Sequence, residues 1–201
     1  MTRPGDAARF DLLVLTATDR RQAGIQRRFV STMIEDSILP VDRLVVVPDP
    51  GGRRVGSGGA TLEALHAAAS TFSASARSGG LESLFEGRRV AIVHSGGESR
   101  RLPAFAAIGK VLMPIGIDGR GGGPRTMLET ILDMLVDRPG PEEGQLVVTT
   151  GDAFTSLEGV DLTGPGLRGV VQSASVDRGA RHGVYVAARD GRVTDMLQKP
   201  T

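Results

Sequence analysis

The sequence has no cysteine and no tryptophan, and aromatic residues make up only 3% of its 201 residues. The absence of cysteine excludes disulfides, thiolate metal sites and a cysteine nucleophile. It does not distinguish between compartments, although it fits a reducing cytosol. With so few aromatic residues, the hydrophobic core has to be formed by Val, Leu, Ile, Ala and Met.

The sequence also lacks an excess of charge and a long apolar run. Its 24 basic and 23 acidic residues give a formal net charge of +1, which provides no electrostatic reason to bind nucleic acid or a membrane surface. No segment approaches the roughly 20 apolar residues of a membrane-spanning helix. The N-terminal run DLLVLTAT is typical of a strand rather than of a signal peptide. We therefore expect a cytoplasmic protein, with no nucleic acid and no membrane among its partners.

Apolar runs that favour strands alternate with segments of helical periodicity as far as residue 149. Strands are predicted over residues 10–16, 44–47, 89–93, 111–115 and 145–149, and shorter extended runs over 170–174, 184–188 and 193–197. A first helix follows a predicted N-cap at Asp19 and carries Ile25, Phe29, Met33 and Ile34 at helical spacing. Further helices are predicted over 61–69, after a glycine turn at 56–59 and with Leu62 and Leu65 facing inward, and over 126–136. This alternation predicts a three-layer α/β domain with a mostly parallel sheet, without a repeat or linker across residues 1–201.

The segment VAIVHSGGESRRLPAFAAIGKVLMPI, residues 90–115, carries the central functional pattern. After a predicted buried strand it presents a Gly-Gly pair and three basic residues, namely Gly96, Gly97, Arg100, Arg101 and Lys110. Glycines let the backbone approach a nucleotide closely, and the amides of such a loop attract anions. Arg offers a planar pair of donors to phosphate oxygens, and Lys offers a compact charge. The segment predicts a phosphate site, and a strand-to-helix turn with solvated arginines is the alternative.

Two common nucleotide-binding patterns do not fit this segment. A Walker A loop requires glycine five residues before its Gly-Lys pair, and Ser or Thr after it. Relative to Gly109 and Lys110, those two positions hold Ala104 and Val111. The dinucleotide pattern G-x-G-x-x-G is absent as well, because the two glycines after the strand are adjacent.

The same segment resembles the signature of sugar nucleotidyltransferases, which runs Gly-Gly, then Arg-Leu-x-Pro, then Lys and a short apolar run ending in Pro. Here Gly96-Gly97 is followed by Arg101-Leu102-Pro103, by Lys110 and by the apolar run 111–114. The form GGxSRRLPxxxxxGK resembles the fucose branch of these enzymes, the GDP-fucose pyrophosphorylase and L-fucokinase family. Three more segments resemble that family in the same order: VGSGGATLEAL at 55–65, VVTTGDAF at 147–154 and RHGVYVAARDGRVTDMLQKPT at 181–201.

The resemblance covers nearly the whole chain from DLLVLTATD onward. It implies a Rossmann-like, GT-A-like nucleotidyltransferase domain. It implies transfer of a nucleotidyl group, GMP from GTP, to fucose 1-phosphate or a related sugar phosphate, with release of pyrophosphate. It also implies Mg²⁺ as the cofactor.

Site residues follow from the resemblance motif by motif. Arg101 and Lys110 are implied to be catalytic, the first holding the leaving pyrophosphate and the second stabilising charge at the α-phosphate. Asp152, of the Gly-Asp motif, is implied to bind the magnesium ion. The implied nucleotide-binding residues lie in the two glycine segments: Gly56, Ser57, Gly58, Gly59, Gly96, Gly97, Ser99 and Arg100. Lys199 and His182 are implied to bind the sugar phosphate.

Each of these residues also has a plain structural interpretation. Residues 56–59 are equally suited to a flexible turn before a helix. Taken alone, Asp152 is typical of a turn or a helix cap. A lone histidine such as His182 is more often a structural hydrogen-bonding group than a catalyst, and Lys199 could be a solvated residue at a strand end.

The sequence ends in DMLQKPT, a strand and a turn, so we expect a C-terminally incomplete domain. The resemblance implies that a second acidic metal ligand, and in bifunctional members a sugar kinase domain, lie beyond it. Two alternatives therefore stay open. The chain could be a catalytically weak nucleotide-binding fragment of a split or truncated enzyme, completed by self-association or by a partner chain. It could also be a nucleotidyltransferase for another sugar phosphate, such as a heptose or mannose derivative.

Overall fold

The computed structural model describes residues 9–73, 85–97, 102–116, 118, 122–138 and 143–200. In chain order the elements are β1 (Leu12–Ala17), α1 (Arg20–Glu35), β2 (Leu44–Pro48), α2 (Gly56–Ser73), β3 (Arg89–His94), β4 (Pro114–Gly116), β5 (Arg125–Thr126), α3 (Met127–Val136), β6 (Gln145–Thr150), α4 (Val176–Gly179), β7 (Gly183–Ala187) and β8 (Val193–Gln198). The chain divides into two compact units, one ending at Pro165 and one beginning at Gly166.

The first unit is built on a four-stranded sheet with the order β2-β1-β3-β6. All three strand pairs are parallel. Helical segments connect parallel strands because the chain has to cross back over the sheet before each new strand. The predicted α/β fold with a mostly parallel sheet is therefore confirmed.

Side chains of the two central strands alternate between two cores. On one face Leu13, Leu15, Ala91 and Val93 pack in a cluster with residues of α1 and α3. On the other face Leu12, Val14, Val90 and Ile92 pack with Ala64, Ala68 and Phe72 of α2. Helices therefore cover both faces of the sheet, which gives the predicted three layers.

Side-chain caps fix where two helices begin. Asp19 accepts a hydrogen bond from the backbone N–H of Gln22 at 2.8 Å, which confirms it as the N-cap of α1. At α3, Thr126 and Glu129 form a capping box, in which each side chain accepts from the backbone N–H of the other residue. Such a cap stabilises a helix by about 1 kcal/mol.

Three local sequence predictions are wrong. Residues 56–59 form the first turn of α2 rather than a separate turn. Leu62 is 68% exposed, because the buried stripe of α2 runs through Ala64, Ala68 and Phe72, and Leu65 packs at the side of this stripe as predicted. The run 111–115 is not one extended piece, since a 3-10 turn over Lys110–Leu112 precedes β4.

Two further departures concern α1 and the second unit. In α1, Phe29 is 57% exposed, and the buried positions include the polar residues Gln22 and Gln26. Residues 170–174 form no strand. The other predicted strands are present within one or two residues of their predicted ends.

The second unit contains the short helix α4 and an antiparallel hairpin of β7 and β8. Every residue of β8 is exposed, and in β7 all but one are exposed. Across the described residues of both units, no helix is long and apolar enough to cross a membrane.

Candidate functional site

The carboxyl ends of β3 and β6 border a small polar cavity in the first unit. Its volume is about 140 Å³, and it is lined by His94, Ser95, Gly96, Gly97, Lys110, Thr150, Gly151 and Asp152. Ligands of open parallel sheets bind at this edge, outside the carboxyl ends of the strands. The cavity thus brings together Gly96, Gly97 and Lys110 of the segment 90–115 and Asp152 of the Gly-Asp motif.

An ion pair joins two of these residues across the cavity. Lys110 Nζ lies 3.0 Å from Asp152 Oδ2, and the two side chains are 29% and 48% exposed. The Thr150 hydroxyl donates to Asp152 Oδ1 at 2.6 Å. This hydrogen bond first, and then the one from Lys110, hold the pKa of Asp152 below its usual value. The carboxylate is therefore ionised at neutral pH.

There is little room for a side chain immediately before Asp152. A Cβ atom on Gly151 would lie 3.0 Å from the carbonyl oxygen of His94 and 3.3 Å from the side chain of Val111. The Gly151 N–H donates to that same carbonyl at 2.8 Å. The Gly-Asp pattern therefore has a structural cause: a side chain at position 151 would push the end of β6 away from β3, and glycine lets the two approach closely while Asp152 lies beside Lys110.

The loop that carries Lys110 is held by two glutamines of α1. Gln22 Nε2 donates to the carbonyl of Ala106 at 2.9 Å, and Gln26 Nε2 donates to that of Ile108 at 3.1 Å. Gly109 follows with φ +85°. Sequence reasoning missed both glutamines. The sequence signal that could have identified them is a pair of polar residues, four positions apart, within the buried stripe of a helix.

The glycine loop after β3 is tied to the end of β1. The Gly97 N–H donates to Thr18 Oγ1 at 3.1 Å. Ser95 donates its hydroxyl to the carbonyl of Thr16 and its N–H to Thr16 Oγ1 at 3.2 Å. These hydrogen bonds fix the course of the Gly96-Gly97 backbone along the wall of the cavity. Neither threonine was predicted to belong to the site.

His94, the last residue of β3, is a further residue that sequence reasoning missed. Its Nε2 lies 2.9 Å from Thr61 Oγ1 of α2, and its Nδ1 lies 3.4 Å from Thr16 Oγ1 of β1. The ring is half-buried, and burial lowers the pKa of His94 below its usual value. The imidazole is therefore neutral at neutral pH.

The other predicted residues are distributed differently. Ser99, Arg100 and Arg101 lie outside the described residues. Gly56, Ser57, Gly58 and Gly59 form the first turn of α2, where Gly56 has φ +73°. His182 and Lys199 lie in the second unit, next to each other at one end of the hairpin, where the Lys199 N–H donates to the His182 carbonyl at 2.9 Å.

The side chains at the cavity can be compared with the ligands that a magnesium ion requires. Within the described ranges no three His, Asp or Glu side chains form a group that could hold a metal. Mg²⁺ usually keeps several waters and takes one or two protein carboxylates together with substrate phosphates. Asp152 is ionised and half-exposed, so it fits an ion that arrives with a nucleotide rather than one held by the protein alone.

Comparison with known proteins agrees with the resemblance carried by the motifs. Residues 82–201 match the fucose pyrophosphorylase domain. The chain belongs to this family.

Its curated relatives are considerably longer than the chain. It is 30% identical to the fucose-1-phosphate guanylyltransferase of Mus musculus over 94% of the chain and 31% of the relative. It is 28% identical to a bifunctional fucokinase/GDP-fucose pyrophosphorylase of Arabidopsis thaliana over 96% of the chain and 21% of the relative. An L-fucokinase/L-fucose-1-P guanylyltransferase of Bacteroides fragilis is 30% identical over 76% and 17%, respectively. The chain thus spans about a third or less of these relatives. No solved structure matches it.

The part of the chain that precedes the matched fucose pyrophosphorylase domain is integral to the site. It supplies β1, which lies inside the sheet beside β3. It also supplies Thr16, Thr18, Gln22 and Gln26, whose hydrogen bonds hold both loops at the cavity. In this member of the family the nucleotidyltransferase signature therefore depends on a scaffold outside the matched domain.

Proposed function

We propose that this chain forms the nucleotide-handling part of a sugar-1-phosphate guanylyltransferase, which transfers GMP from GTP to fucose 1-phosphate and releases pyrophosphate. The observation that carries the proposal is the pair Lys110–Asp152 beside Gly96 and Gly97 at the carboxyl edge of the sheet. Membership of the fucose pyrophosphorylase family supports the choice of substrates.

The proposed reaction requires little acid–base chemistry from the protein. A phosphate oxygen of the sugar 1-phosphate attacks the α-phosphorus of GTP, and a new P–O bond forms. The bond from the α-phosphorus to the oxygen bridging to the β-phosphate breaks, and its electrons leave with pyrophosphate. The attacking phosphate is largely ionised at neutral pH, so no general base is needed. Positioning of the groups and neutralisation of their charge remain as the protein's task.

The cavity residues suit this task. Lys110 would neutralise charge at the α-phosphate, and its position is set by the glutamine-held loop behind it. The backbone of Gly96 and Gly97 would lie against the nucleotide. Asp152 would hold Mg²⁺, which neutralises phosphate charge when bound. The ion pair in the substrate-free protein is then exchanged for two new contacts, Lys110 with phosphate and Asp152 with the metal.

The remaining assignments rest on family resemblance. Ser99, Arg100 and the first turn of α2, residues 56–59, would contact the triphosphate, and Arg101 would hold the pyrophosphate. His182 and Lys199 would contact the sugar phosphate, and their adjacency at one end of the hairpin supports a shared role. A cytoplasmic location is part of the proposal and stays a prediction. Self-association or a partner chain stays a prediction.

Lysine-selective labelling offers a direct test. Lysine and arginine together number 24 in this sequence, but only two of these residues are lysines, Lys110 and Lys199. We expect GTP with Mg²⁺ to protect Lys110 from acetylation, as read by peptide mass spectrometry, and to leave Lys199 reactive. Added fucose 1-phosphate should protect Lys199. Equal labelling of Lys110 with and without GTP would contradict the proposed phosphate site.

Affinity and turnover complete the test. Lys110→Ala should weaken GTP binding by about 1.5–3 kcal/mol, since it removes a charge-assisted hydrogen bond to phosphate, and calorimetry measures this loss. Release of pyrophosphate from GTP should then depend on fucose 1-phosphate, with mannose 1-phosphate as the matched sugar control. Binding without release would favour the catalytically weak nucleotide-binding fragment, and faster release with the control sugar would favour another sugar phosphate.

A further inference from the structure

The hydrogen-bond partners of His94 determine where its proton lies. Thr61 Oγ1 is 2.9 Å from His94 Nε2 and 2.9 Å from the carbonyl oxygen of Ser57. A carbonyl only accepts, so the contact with Ser57 uses the single hydroxyl proton of Thr61. Both contacts of Thr61 Oγ1 are hydrogen bonds at the same time only if the hydroxyl oxygen accepts from His94, with the proton on Nε2.

The other ring nitrogen completes a continuous chain of hydrogen bonds. Thr16 Oγ1 accepts from the Ser95 N–H at 3.2 Å, and its own proton is free to be donated to His94 Nδ1 at 3.4 Å. In a neutral Nε2–H imidazole, Nδ1 is an acceptor and suits this partner. Every donor from Ser95 to Ser57 then has one acceptor, and all of these bonds run in the same direction.

The chain joins two parts of the predicted nucleotide site that are distant in sequence. Ser95 begins the loop that continues into Gly96 and Gly97, and Ser57 belongs to the first turn of α2, which has the other glycine segment. His94 itself lines the cavity that holds Lys110 and Asp152. The depressed pKa of its half-buried ring agrees with a neutral imidazole.

We propose that His94, as the neutral Nε2–H tautomer, is a positioning residue that fixes the first turn of α2 relative to the Gly96-Gly97 loop for nucleotide binding. This inference rests on the proposed function. It goes beyond the sequence motifs, which assign no role to His94, Thr16 or Thr61. A histidine that only stabilised the core would affect the free energy of unfolding without a specific effect on the nucleotide.

The tautomer can be tested on the unliganded protein by nitrogen NMR of ¹⁵N-histidine-labelled chain. The sequence has three histidines, and His66→Gln and His182→Gln assign the remaining signals to His94. We expect the shift of an unprotonated acceptor for Nδ1 and of a protonated nitrogen for Nε2 at neutral pH. A protonated Nδ1 would overturn the inference, whether or not GTP binds.

The positioning role is tested by a matched pair of substitutions at Thr61. Thr61→Val preserves shape but removes the hydroxyl that accepts from His94, and Thr61→Ser keeps the hydroxyl. We expect GTP affinity in the presence of Mg²⁺ to fall about tenfold in Thr61→Val and to stay within about twofold in Thr61→Ser. His66→Gln, at an exposed position of the same helix, should bind like the unsubstituted chain.

A second pair at His94 guards against a loss of folding. His94→Gln places an amide N–H near the position of Nε2 and should retain more GTP affinity than His94→Ala, while unfolding curves show whether both variants are folded. Unchanged GTP affinity in Thr61→Val, with normal binding by the unsubstituted chain, would overturn the inference alone. An unsubstituted chain that binds no GTP would contradict the proposed function and, with it, this role of His94.

Discussion

The two units of the molecule hold their predicted functional residues in contrasting ways. In the first unit, Lys110 and Asp152 follow strands and loops that are anchored to buried elements on both sides. In the second unit, His182 and Lys199 lie on a hairpin whose side chains are almost all exposed. The first unit therefore presents its residues from a rigid scaffold, and the second presents them from a small, solvated one.

The contrast has an energetic consequence. Burial of apolar side chains is the dominant favourable contribution to folding, and in the described residues the buried hydrophobic side chains all belong to the first unit. An isolated two-stranded hairpin is marginally stable in water. We therefore expect stability to reside in the first unit, whose site geometry should be sensitive to packing. Substitutions in the hairpin should change the free energy of unfolding little and should affect mainly the binding of ligands.

The largest expected effect comes from a cavity in the core of the first unit. Leu132 of α3 is fully buried, and Leu132→Ala should lower the free energy of unfolding by about 2–5 kcal/mol through lost contacts and an unfilled cavity. Met196 of the hairpin is 56% exposed, and Met196→Ala should change it by less than about 0.5 kcal/mol. Urea unfolding followed by circular dichroism measures both. Equal losses in the two variants would contradict the contrast between the units.

A smaller effect is expected at Gly109, where the glutamine-held loop meets Lys110. With φ +85°, a Cβ atom there would lie 2.5 Å from Gln26 Nε2, so Gly109→Ala combines backbone strain with displacement of a buried side chain. We expect a loss of about 1–3 kcal/mol in the free energy of unfolding, and weaker GTP binding as the loop shifts.

Gly191, between β7 and β8, provides the matched control for this substitution. It has φ +83°, but a Cβ atom would meet nothing within 4 Å. Gly191→Ala therefore carries the same backbone strain without the contact to Gln26. The two alanine variants can be compared in their free energy of unfolding, where the contact with Gln26 should make Gly109→Ala the more destabilised, and GTP affinity should fall only in Gly109→Ala. A loss of affinity in both variants would show that the effect is not specific to the loop of Lys110.

The sequence was sufficient for the layers of the fold and for the position of the central motif. Apolar runs of β-forming residues such as 89–93 are buried on both faces, and their period and length identify them without tertiary information. The Gly-Gly and Gly-Asp motifs each follow a predicted strand. Because the carboxyl ends of parallel strands lie at one edge of a sheet, the sequence also predicted the edge at which both motifs lie.

Residues whose roles depend on tertiary partners could not be found in this way. Gln26 is polar, and a polar residue is expected on the solvent side of a helix; it is buried because the carbonyl of Ile108, far along the chain, accepts its amide proton. Nothing in the sequence distinguishes Thr16 and Thr61 from other β-branched residues, because their role depends on the imidazole of His94, which lies between them only in the folded chain. Leu62 was misplaced because it lies two residues before Ala64, about 200° around the helix axis, and therefore on the side of α2 away from the buried stripe.

Acid titration should show a modest effect at Asp152. Its pKa is lowered in the folded chain, so its stabilising contribution is fully present above the unfolded value of about 3.9 and is lost as pH falls through the folded pKa. The side chain is half-exposed, and the contribution is screened to less than about 1 kcal/mol. The free energies of unfolding of Asp152→Asn and of the unsubstituted chain should therefore differ by a constant amount above about pH 5 and converge as the pH falls from about 5 towards about 1. A difference that stays constant to the bottom of that range would contradict the lowered pKa of Asp152 and the hydrogen bonds from Thr150 and Lys110 that cause it.

The smallest expected effect on the free energy of unfolding concerns Lys199. Substitution of this residue also separates backbone strain from function. Lys199 has φ +48°, a left-handed conformation that costs a residue with a side chain more than it costs glycine. Ser37, which follows α1, has φ +57° and is the matched position in the first unit. Lys199→Gly and Ser37→Gly should each raise the free energy of unfolding slightly, by about 0.5 kcal/mol, as glycine relieves the strained backbone at some cost in chain entropy.

The two variants should differ in function: Lys199→Gly should lose affinity for fucose 1-phosphate, and Ser37→Gly should retain it. Unimpaired binding of fucose 1-phosphate by Lys199→Gly would remove the second unit from the proposed sugar-phosphate site and leave the function with the first.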